Sequence, residues 1–111
     1  MSLLRMFRYF QTITAGAIAT TTIANPSTCI TVNMAGATGV QTIVLPASNC
    51  YNGEVCSVRV INAVAVQTVL VQSPAGTTLL TVAASTNGNA MFAFNGQAAT
   101  PAWQLISSYF A

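Results

Sequence analysis

A two-residue hydrophobic rhythm, cut into short runs by Gly, Asn and Pro, limits this chain more than any other feature. In Thr28–Met34, Ile30, Val32 and Met34 alternate with Cys29, Thr31 and Asn33. In Val55–Asn62, Cys56, Val58 and Val60 alternate with Ser57 and Arg59. Successive side chains of a strand point to opposite faces, so one set turns inward and the other outward. The same reading places strands at Thr12–Ile23, Gln41–Leu45, Val66–Gln72, Thr77–Val82, Ala90–Phe94 and Trp103–Ser107. Asn25-Pro26-Ser27, Ala35–Gly39 and Pro46–Asn49 read as loops, and Asn52-Gly53, Ser73–Gly76, Asn87-Gly88-Asn89 and Asn95-Gly96 as turns. Short strands so spaced predict an all-β chain, a small antiparallel β-sandwich or jelly roll over residues 25–111. No βαβ pattern or internal repeat is evident.

Residues 1–24 read as an N-terminal arm, part helix and part strand. Leu3, Leu4, Phe7 and Phe10 lie at helical spacing, with Arg5 and Arg8 off that stripe. Such a short helix needs something to pack on, either its own core or a neighbouring subunit. Phe10–Ala24 follows two arginines and contains Ala17-Ile18-Ala19, which looks like a signal-peptidase site. Five Thr residues make the stretch too polar for a secretory core, and it falls short of the ~20 apolar residues of a spanning helix. Neither a cleaved signal nor a membrane span is expected.

The composition then removes most chemistry. Arg5, Arg8, Glu54 and Arg59 are the only charged side chains in 111 residues, and His, Lys and Asp are absent. Acid–base catalysis at neutral pH relies mostly on His, carboxylates or Lys, and only Glu54 is present. Ser–His–Asp and two-carboxylate arrangements cannot be assembled. Catalytic, cofactor and metal sites are therefore not expected. Three arginines are too sparse to track phosphates, so nucleic acid is not an expected partner either. Gly36-Ala37-Thr38-Gly39 lacks the Lys and helix of a phosphate loop and reads as a turn. A thiolate site from Glu54, Cys56 and Arg59 fails because Arg59 falls on the opposite strand face; a surface pairing of Glu54 with Arg59 is the plainer expectation. Cys50 and Cys56 bracket a turn that a disulfide can span, but an odd count of three favours small buried thiols.

What remains is a surface problem. Charged residues are 4% of the chain, against about 25% in soluble domains. The outward positions carry Thr, Ser, Gln, Asn and Ala, and no Lys guards any sheet edge. Edges of this kind predict coverage by other subunits. Trp103, Tyr109 and Phe110 join Leu3, Leu4, Phe7 and Phe10 as candidate interface residues, because aromatic anchors are enriched at cores and interfaces. Trp103 also offers a ring for stacking on a sugar, a less common use.

The order Thr42-Ile43-Val44-Leu45-Pro46, Gly53, Val58-Arg59-Val60-Ile61-Asn62, Val69-Leu70-Val71, Ser73–Leu79, Asn87–Ala90, Phe92-Ala93-Phe94 and Trp103–Ile106 resembles small β modules of bacteriophage virion proteins. Such modules occur in tail fibres, tailspikes and capsid decoration (cement) proteins. The resemblance covers about residues 41 to 107 and has a degenerate pattern; residues 1–40 have no counterpart in it. It implies a non-catalytic module, commonly trimeric, located in the virion and binding the major capsid protein or other virion subunits. A decoration protein suits this chain better than a fibre, where the module belongs to a much longer chain. The alternatives are a short fibre or receptor-binding tip, and a secreted β filament whose residues 12–24 are donated to the next subunit.

With Glu54 the only acidic side chain and no His, few groups titrate between pH 5 and 8. Oligomers of the purified chain should therefore keep one elution position by size-exclusion chromatography across that window; disassembly within it would contradict the expectation.

Overall fold

A computed structural model describes residues 7–111 and shows a chain made of strands and connections. In order these are β1 (Tyr9–Thr14), β2 (Ala19–Thr22), β3 (Thr28–Asn33), β4 (Gln41–Val44), β5 (Val55–Ile61), β6 (Val69–Gln72), β7 (Thr78–Val82), β8 (Gly88–Asn95) and β9 (Ala102–Phe110). They form two sheets, one ordered β1-β3-β5-β8-β9 and the other β2-β4-β6-β7. The all-β expectation holds. Among the described residues no helix is long and apolar enough to cross a membrane.

The pairing differs from the wholly antiparallel sheets expected. Among the described residues, four of the seven ladders are parallel: β1–β3, β3–β5, β2–β4 and β4–β6. The chain crosses from one sheet to the other and back, laying each new strand beside its predecessor. Parallel neighbours need a long crossover, usually a helix. Here the crossover is a strand of the opposite sheet, so no helical segment announces it. Tyr9 pairs with Thr28 and Cys29 with Ser57, while Ala19 pairs with Gln41 and Gln41 with Val69. Only the last strands, β7, β8 and β9, turn back antiparallel.

The winding reveals a repeat of unequal turns. Ile23, Leu45 and Ser73 each follow a strand of the second sheet and are all buried. The amides of Ile23 and Leu45 donate to Val44 and Gln72 carbonyls of the next turn, both at 2.9 Å. Ala15 and Met34 do the same at the ends of β1 and β3, donating to Asn33 and Ile61. Inserted loop residues shift the spacing from turn to turn and hide the repeat in the linear sequence.

The alternation read from β3 and β5 is observed. Ile30, Val32, Cys56, Val58 and Val60 are buried, and they join Ile43, Val69, Val71 and Val82 of the other sheet in one apolar cluster. Phe92 and Trp103 are its largest members besides the aliphatics, at 0% and 2% exposure. Truncating a buried aromatic of this kind costs about 3–5 kcal/mol. The buried Gln41 amide ties the connection between β1 and β2 to this core, donating to Ala17 and Gly39 carbonyls at 2.9 and 3.1 Å.

Residues 9–22 are not a separate arm. The long strand expected over Thr12–Ile23 is two strands, β1 and β2, one in each sheet and each paired within the chain. Gly16 and Ala17 lie in the connection between them. The helical stripe fails at its end, because Phe10 lies in β1; Leu3 and Leu4 fall outside the described residues.

At Gly88, the first residue of β8, an added Cβ would be driven into the Tyr109 carbonyl of β9. Gly88→Ala should therefore destabilise the fold by about 1–3 kcal/mol, the usual cost of forced overpacking. Gly16→Ala, with open space around it, should stay within about 0.5 kcal/mol of the parent. Denaturant unfolding of the two variants tests this contrast.

Candidate interaction surfaces

The expected interface residues separate into exposed and buried sets. Phe10 on β1 is 75% exposed and Tyr109 on β9 is 74% exposed. β1 and β9 are the opposite edges of the same sheet, so these rings serve different edges. Phe7 is half-buried, and Phe110 is partly buried against the core. Trp103 is a core residue rather than an exposed anchor. Its indole Nε1 donates to the Pro46 carbonyl at 2.9 Å, and its ring meets Phe94 edge-on at 5.5 Å. A buried indole with its N–H satisfied is not presented for stacking on a sugar.

β9 carries more interface character than its aromatic residues alone suggested. Residues 104–109 are exposed, among them Leu105 and Ile106. Met91 pairs with Ser107 and Phe92 with Leu105, so Ile106 is the extra residue of a bulge. The signal was in the sequence: two successive aliphatics break the two-residue rhythm. A bulge twists an edge, a usual protection against uncontrolled pairing, yet this edge has no charge to reinforce it. The outward row beside it, Ser57, Met91 and Ser107, is also uncharged.

The few charges are placed unevenly. Arg59 points outward from β5 and is exposed. Glu54 is instead bonded to Ser27, whose Oγ donates to the Glu54 carboxylate Oε2 at 2.6 Å. The expected surface partner of Glu54 was Arg59; the winding substitutes a hydroxyl from the turn before. Ser27 adopts φ 63°, a left-handed conformation that costs a non-glycine residue of order 1–3 kcal/mol. Its surroundings hold it there. The Ser27 amide donates to the Val55 carbonyl at 2.8 Å, and its own carbonyl accepts from Arg8 and Tyr9 amides at 2.8 and 3.2 Å. Three turns of the chain thus meet at one corner, just ahead of β1, β3 and β5. The linear sequence sets Ser27 in a loop and Arg8 off a helical stripe, and nothing in it brings the two together, because the repeat that aligns them is hidden.

All three cysteines are free thiols, so the Cys50–Cys56 bridge is not formed. Cys56 is on the inward face of β5 and fully buried, whereas the Cys50 thiol donates to the Pro46 carbonyl at 3.3 Å. Burial, with a smaller effect from the Glu54 charge, raises the Cys50 pKa. Burial also pushes the Cys56 thiol up, from 9.0 to about 11.

No protein-family model, no curated protein and no solved structure matches this chain.

Cys56 ionises less readily folded than unfolded, so its contribution to stability is complete below pH 9 and is lost as pH rises through about 11. The urea midpoint should fall across that window. Cys56→Val should show a shallower fall, because the titrating group is gone; equal slopes would exclude Cys56 as the cause.

Proposed function

We propose that this chain is a non-enzymatic structural subunit that assembles through its uncharged sheet edges. In its most specific form the proposal is a trimeric capsid decoration protein of a bacteriophage, seated on the major capsid protein. One observation carries the assembly part: β9 presents Leu105, Ile106 and Tyr109 to solvent on an edge strand with no charged residue. Isolated exposed apolar residues are ordinary on a protein surface. An unpaired strand edge with neighbouring apolar side chains and no gatekeeping charge is a template for another chain. The virion assignment rests on the resemblance of residues 41 to 107 to phage β modules.

In this reading the two sheets are the faces of one sandwich, and the antiparallel strands β7 to β9 adapt the parallel winding to a partner. Burial of β9 at about 25 cal/mol per Å² of apolar surface, with backbone hydrogen bonds along the edge, supplies the association energy. Within residues 12–24, the strand residues 12–14 and 19–22 are already paired inside their own chain, which removes the motive for donating them to a neighbour.

Light scattering coupled to size-exclusion chromatography should find an oligomer, and Ile106→Lys should convert it to a folded monomer by placing a charge on the edge. Shells stripped of decoration should bind the parent chain and not the variant. A stable parent monomer that leaves such shells bare would overturn the proposal.

A further inference from the structure

We propose that the corner ahead of β1, β3 and β5 is a binding site for a neutral saccharide, a hexose unit of a glycan. Two adjoining cavities of about 450 and 170 Å³ open there, and Ser27, Tyr51 and Glu54 line both. The smaller adds Arg8, Tyr9, Asn25 and Asn49. Together they fall within the range of small-molecule sites, about 300–1,000 Å³, which holds one or two sugar rings.

The chemistry of the lining selects the ligand. In a chain with four charged residues, one cation and the sole carboxylate share this corner. A phosphate or carboxylate ligand would gain from Arg8 and be repelled by Glu54; a cation would meet the reverse. A neutral ligand rich in hydroxyls satisfies both, because each hydroxyl donates and accepts. Glu54 accepts from one sugar hydroxyl and Arg8 donates to another, as charge-assisted hydrogen bonds. Ser27 engages one lone pair of the carboxylate and fixes its orientation, and about four such acceptor positions exist on the group. Asn25 and Asn49 add amide donors and acceptors.

The rim supplies the apolar half of sugar recognition. Tyr51 is 68% exposed and Tyr9 is 47% exposed, and both line the cavity beside its polar groups. A pyranose has an apolar C–H face and a polar edge, and a tyrosine offers the same division. The backbone beneath Tyr51 and Glu54 is tied down by hydrogen bonds. Tyr51 begins a turn closed by the Glu54 amide donating to its carbonyl at 3.0 Å, with Gly53 at φ 89°. Gly53 and Phe94 amides donate across to Phe94 and Glu54 carbonyls at 2.9 and 2.8 Å, anchoring the turn to β8. Fixed polar groups lose little freedom on binding.

This site is independent of the assembly surface on β9, so failure of either proposal leaves the other standing. Methyl glycosides of glucose, galactose and mannose, and their β-linked disaccharides, are the probes, titrated into the full chain and followed by NMR. At least one should saturate, with transfer from the Tyr51 and Tyr9 rings to sugar protons. Tyr51→Ala should weaken it about tenfold, the effect of losing about 50 Å² of apolar contact. Glu54→Gln should weaken it about 10- to 100-fold, as for a charge-assisted hydrogen bond. Arg59→Gln, on the outer face of β5, should leave the titration unchanged. The amide spectrum of each variant reports its fold; Tyr51 is exposed, so its truncation tests the site even if Glu54→Gln unfolds. Absence of saturation by every probe would overturn the proposal. So would affinity unchanged in folded Tyr51→Ala, or saturation by arginine amide in place of the sugars.

Discussion

The parallel pairing of β3 with β5 is the constraint on which the remaining structure depends. β3 lies between β1 and β5, and its inward Ile30 and Val32 stand beside Val58 and Val60 in register. A slip of one residue would turn Cys29 and Thr31 into the core and expose the aliphatics. That register in turn determines where the opposite sheet lies, because each excursion between β1, β3 and β5 carries a strand of it. β2, β4 and β6 are therefore parallel for the same reason. Gln41 secures the arrangement where the chain first crosses, its buried amide satisfied by carbonyls of the connection.

A coil of this kind brings the same relative position of successive turns to one place. At the end of the second sheet's strands this produces a stack of buried residues, Ile23, Leu45 and Ser73. Ahead of the first sheet's strands it produces the corner where Arg8, Ser27 and Glu54 meet. The first stack is apolar enough to extend the core. The second gathers two of the chain's four charged residues around a strained serine. The proposed assembly and recognition surfaces thus fall in separate regions, the β9 edge and the winding corner.

The legible part of the structure was local. Strand positions, the inward faces of β3 and β5, and most turns follow from side-chain alternation and from residues that tolerate positive φ. The parallel pairing was not legible, because antiparallel and parallel strands with one buried face share the same rhythm. The usual mark of parallel pairing, a helix between strands, is replaced here by another strand. β1 and β2 were merged for a related reason: Ala15, Gly16 and Ala17 carry little turn chemistry, and the break is made by pairing to β3 and β4. Trp103 is ambiguous in sequence since an aromatic in a strand serves a core or an interface equally well, and only its burial and its bond to Pro46 distinguish them.

Sequence alone determined that this is a β chain, that the outward positions of its strands are uncharged except for Arg59, and that Glu54 is its only acidic side chain. These follow from composition and from a period that any strand must obey. Tertiary structure decided which strands are neighbours, that Cys56 faces the core while Cys50 turns to Pro46, and that Glu54 meets Ser27 instead of Arg59. Those outcomes depend on contacts between successive turns, and unequal connections make the distance along the chain a poor guide to which residues meet.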